Sequence, residues 1–126
     1  MITSDPVRLH LMVGWASMLC GALSGAVIGV FFRRPEWLGG YTALPRRLVR
    51  LAHIACFGLG LLNIALAATY LGVGVREVQE LPSLGLIIGT VSMPIVCLAT
   101  AWRERLHYFF ALPVLALITA IACVPL

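Results

Sequence analysis

His53, Cys56, Gly60, Asn63 and Ala67 recur at helical spacing along one long uncharged segment, so an imidazole, a thiol and a carboxamide point the same way from successive turns. Two further apolar segments place Met93, Cys97 and His107 toward the same end of such a molecule. Imidazole, thiolate and thioether are soft ligands suited to copper, and two facing imidazoles are what a b-type haem needs at its axial positions. His53 and His107 are the pair at comparable depth for a haem, with Cys56, Met93 and Cys97 as the metal set; His10 falls at the opposite face. The spacing argues the other way. The chain has no CxxC or HxxxH, and its cysteines, Cys20, Cys56, Cys97 and Cys123, occur one per apolar segment, as small apolar residues do. Trp102, His107 and Tyr108 also read as an interfacial aromatic belt. Structural and cofactor-binding roles stay open at this point.

Asn63 sits near the middle of its segment, where an unpaired amide costs about 1–3 kcal/mol and must find a partner. A hydrogen bond to a neighbouring helix is one solution, and contact with a ligand or ion is the other. Arg46, Arg47 and Arg50 precede His53 where the segment begins, a basic patch suited to anionic headgroups, a phosphate-bearing lipid, a quinone headgroup or an acidic partner.

These residues are carried by four uncharged runs, 9–32, 51–75, 81–102 and 106–126, which hold none of the fourteen charged residues. A hydrocarbon core of about 30 Å takes roughly 20 helical residues, so each run is long enough to cross a bilayer. The chain reads as an all-α polytopic membrane protein, a single transmembrane domain of four helices over about 9–32, 47–72, 81–102 and 106–125. The 61% hydrophobic and 11% charged composition, with mean hydropathy +1.01, supports the same class and leaves no soluble domain.

Arginine sets the orientation. The first and third connections carry Arg33, Arg34, Arg46, Arg47, Arg50, Arg103 and Arg105, while the other side holds Arg8 and Arg76. Positive-inside bias therefore puts both termini outside the cytoplasm, in a bacterial inner membrane, and makes the net charge of +4 a topology signal; no nucleic-acid footprint is present. The first run is too long for a cleaved signal peptide and is expected to be retained.

Packing signals lie mainly in the first helix. Gly14, Ser17, Gly21, Ser24, Gly25 and Gly29 form one small-residue face, which lets a second helix approach, either within the bundle or from another subunit. Gly85, Gly89 and Ser92 give the third helix a shorter version that is able to meet it. Pro94 and Pro113 each predict a kink, because proline donates no backbone hydrogen bond.

In size the chain is similar to small multidrug transporters, but its first helix has no embedded glutamate; it lacks the arginine and Thr-Phe-Ser motifs of dual-topology fluoride channels. No catalytic set is legible, since all five acidic residues lie in loops or at the ends of the runs. The expectation is a small noncatalytic integral-membrane subunit or assembly factor of a larger bacterial complex, one of electron transfer among the options, embedded in lipid and contacting other subunits or itself. The alternatives are a haem- or metal-binding electron-transfer protein using His53 and His107, and a small-solute transporter using Asn63.

Overall fold

The computed structural model describes residues 5–73 and 79–124; Arg76 and Glu77 of the outer turn lie outside them. Four helices account for nearly all of it: α1 (Asp5–Phe31), α2 (Leu44–Val73), α3 (Glu80–Trp102) and α4 (Ala111–Ala122). A single 3-10 turn, Trp37–Gly39, lies between α1 and α2, and a 3-10 stretch, Glu104–Phe110, leads into α4. With that stretch counted in the fourth, all four segments are long and apolar enough to cross a membrane.

Prolines set two of the starts. Pro45 occupies the second position of α2, and Pro113 the third of α4, where a backbone N–H has no acceptor within the helix in any case. Pro113 therefore opens a helix, and the expected kink within a helix beginning near residue 106 is replaced by a 3-10 approach that ends three residues before it. Pro94 does fall inside α3, which continues through it.

The helices form a row in chain order. α1 packs on α2, α2 on α3 and α3 on α4; α1 touches α3 lightly, and the two end helices make no comparable contact. Neighbours run antiparallel, so the connections 32–43 and 103–110 share one end. At the opposite end Val7, Leu66, Ala67, Tyr70, Leu86 and Ala120 form a cluster drawn from all four helices.

Small residues set the spacing in the row. The backbone of Gly14 meets that of Gly60, a Cβ on either lying only 2.8 Å from the other's carbonyl oxygen. Gly21 receives the ring of Phe57 and Gly25 the ring of His53, while a Cβ on Gly29 would meet nothing within 4 Å. The small-residue face of α1 is thus occupied by α2 of the same chain over three of its glycines. Gly85 and Gly89 do not meet that face; they receive Ala116, Leu117 and Ala120 of α4.

Candidate functional site

Where α1, α2 and α3 converge, four polar side chains form a continuous hydrogen-bonded set in an otherwise apolar interior. His10 is 0% exposed; its Nδ1 lies 2.7 Å from Asn63 Oδ1 and its Nε2 2.7 Å from Ser83 Oγ. Asn63, also 0% exposed, donates from Nδ2 to the Leu59 carbonyl and to Thr90 Oγ1, both at 2.8 Å. Thr90 Oγ1 in turn donates to the Leu86 carbonyl at 2.7 Å.

Atom types fix the direction of this set. The Leu59 carbonyl can only accept, so the amide nitrogen of Asn63 must face it and Oδ1 must face His10. Oδ1 can only accept, so His10 carries its proton on Nδ1. In the neutral ring Nε2 is then an acceptor, and the Ser83 hydroxyl donates to it. Every donor points from Ser83 through His10 and Asn63 to Thr90, and no polar atom of His10 or Asn63 is left without a partner.

Helix geometry brings these residues together. His10 lies one turn before Gly14, where the glycine contact lets α1 approach α2 closely enough for an imidazole to reach Asn63. Ser83 and Thr90 are seven residues apart, two turns on one face of α3, and bracket His10 and Asn63 from that side. Asn63 was legible as a residue in need of a partner; His10, Ser83 and Thr90 were not, because each alone is an ordinary polar residue near a helix end or in a helix. The i, i+7 pair Ser83 and Thr90 is the signal that was available.

The two histidines expected to share a haem do not share a site. His53 turns to α1, its Nδ1 2.9 Å from the Gly21 carbonyl and 3.1 Å from Ser24 Oγ, with its ring edge on Phe57. His107 is exposed on the 3-10 stretch that packs on α3, its Nδ1 bonded to the Glu104 carbonyl of its own turn and its ring 4.0 Å from that of Tyr108. His107 instead shares a groove with Leu44 and Leu48 of α2.

Cys56 sits against Gly21 of α1 and its carbonyl accepts from Ser17, Cys97 is buried in α3, and Met93 is half-buried. Among the described residues no three His, Cys, Asp or Glu side chains converge in a way that holds a metal ion.

The basic patch divides. Arg47 and Arg50 are exposed, whereas Arg46 is 1% exposed and serves the fold. Its guanidinium donates to the carbonyls of Phe32, Arg34 and Pro35 at 2.9, 3.2 and 3.3 Å and stacks 3.8 Å over the Tyr41 ring, with Trp37 and Phe32 flanking. A cation placed on the carbonyls that follow α1 offsets the negative end of its dipole. This clamp holds a loop in which Leu38, Gly39 and Gly40 have φ of 55°, 84° and 98°, a conformation that costs a leucine about 1–2 kcal/mol.

An apolar groove of about 430 Å³ lies between α2, α3 and α4, lined by Leu62, Leu66, Pro82, Leu86, Ala120 and Ile121 among others; Pro82, next to Ser83 in sequence, lines it, and Ser83 itself does not. Fold and site together define an all-helical chain with four membrane-length helices built around an interhelical polar set. The chain matches no family model, no curated protein and no solved structure.

Proposed function

We propose that this chain is a small integral-membrane subunit or assembly factor of a larger complex in the bacterial inner membrane, with both termini outside the cytoplasm and the arginine-rich connections inside. The observation that carries this reading is Trp15. α1 is 27 residues long, about 40 Å, and Trp15 lies six residues, about 9 Å, into the uncharged run that begins at Leu9, inside the hydrocarbon span. Tryptophan favours the headgroup level, where its N–H meets water or lipid polar groups. Here it stands 63% exposed on the outer face of the helix, between Met12 and Leu19. A neighbouring protein helix gives that indole a better environment than acyl chains do. With α2 already covering the glycine face, the partner surface is the opposite one, Met12, Trp15, Leu19 and Leu23.

The open row supports the same reading, since α1 is not enclosed by α4. Seven arginines at one end against Arg8 and Arg76 at the other support the orientation. A photo-crosslinking residue at position 15, activated in intact cells, is expected to give one discrete adduct with another membrane protein or with a second copy. Lipid adducts alone, at normal expression, would refute the subunit reading.

A further inference from the structure

Going beyond the subunit reading, we infer that Ser83, His10 and Asn63 form a nucleophile, base and orienter, and that the site acts on the carboxylic ester of a membrane lipid. A serine hydroxyl is activated when an imidazole Nε2 accepts its proton while a third group holds Nδ1–H and so sets tautomer and ring orientation. Both links are present at 2.7 Å, and they use the correct nitrogens. The third group is an amide oxygen whose own orientation is locked by Leu59 and Thr90, so the imidazole cannot adopt the opposite tautomer without breaking the set.

Three features suit an acyl substrate. Ser83 is half-buried while its base is fully buried, so the nucleophile is the member of the set on the accessible side. It lies in the first turn of α3, where the N–H groups of Glu80 and Leu81 have no acceptor within the helix and Pro82 has no N–H to offer; negative charge developing on a carbonyl oxygen is favoured there. Pro82 and Leu86, one residue before and three after the serine, line the apolar groove, which takes an acyl chain. A water-soluble substrate has no comparable apolar volume to gain from.

The chemistry balances with water as co-reactant. Ser83 Oγ adds to the ester carbonyl carbon as its proton passes to His10 Nε2. Collapse breaks the ester C–O bond, the proton moves from His10 to the departing oxygen, and an alcohol leaves with the acyl group on Ser83. Water repeats the sequence against the acyl-serine, releasing the acid and restoring the serine.

The test uses the full chain reconstituted in phospholipid vesicles and a long-chain alkyl fluorophosphonate as probe. Ser83 is expected to be the modified residue in the peptide mass spectrum, with no modification in Ser83→Ala. Labelling in His10→Gln, which retains amide hydrogen bonding but no base, is expected to slow at least ~100-fold. Thermal unfolding in detergent confirms that each variant is folded. A folded native chain left unlabelled, or one labelled at another residue, would overturn the assignment and leave the three side chains as an interhelical clasp; so would a folded His10→Gln labelled at the native rate.

Discussion

Adding one methyl group at Gly14 is the sharpest perturbation of this architecture. The new Cβ would lie 2.7 Å from Ile64 Cγ1 and 2.8 Å from the Gly60 carbonyl oxygen, where an ordinary contact is 3.4 Å or more. The isoleucine can turn aside. The carbonyl belongs to the backbone of α2 and cannot, so the helices must part by roughly half an ångström at this level. One turn away the His10 to Asn63 bond of 2.7 Å spans the same seam and lengthens with it. Overpacking costs about 1–3 kcal/mol and a weakened interhelical hydrogen bond about 1 kcal/mol, against a gain of about 1 kcal/mol in helix propensity from alanine. Gly14→Ala is therefore expected to destabilise by about 1–3 kcal/mol. Gly29→Ala, on the same face with nothing within 4 Å, makes only the propensity gain. The two variants should differ by about 2–4 kcal/mol in reversible unfolding in mixed micelles, roughly 30- to 1,000-fold in the folding equilibrium. Equal stabilities, within about 0.5 kcal/mol, would refute the close backbone contact that seats the polar set.

Replacing Asn63 by Leu strands the Nδ1–H of His10 in the interior and is expected to cost about 1–3 kcal/mol in the same assay. Thr69→Ala, which removes a hydroxyl bonded only to the Ala65 carbonyl of its own helix, should change stability by less than about 0.5 kcal/mol. Arg46→Gln removes the cation that holds three carbonyls, and chymotrypsin should then cut at Trp37 or Tyr41 at least ~10-fold faster in detergent; Arg46→Lys should rescue only part, because an ammonium lacks the planar fork. Leu38→Gly relieves a left-handed leucine and is expected to raise the unfolding free energy by up to about 1 kcal/mol, with a fall of that size counting against strain at this position.

Segment length and charge placement were enough to define four membrane-length helices, because hydrophobic span and the exclusion of arginine from it are local properties of the chain. The helix starts differed most at the fourth segment, where a 3-10 stretch over Glu104–Phe110 replaces the first α-helical turns expected there. The glycines of α1 were legible as a contact face, and Asn63 as an amide that needs a partner. What occupies that face, and which groups answer the amide, depend on the rotation of each helix about its axis and on its neighbours in the row. Rotation turned His53 and Cys56 toward α1 and drew Arg46 into the loop as a cap instead of leaving it at the lipid surface. It also brought His10, 53 residues from Asn63 and 73 from Ser83 in sequence, into contact with both. Four segments long and apolar enough to cross a membrane were readable along the chain, since apolar surface adds residue by residue. Which polar side chains meet followed from the packing, since a hydrogen bond exists only when donor and acceptor come within about 3 Å, and that depends on contact between segments far apart in sequence.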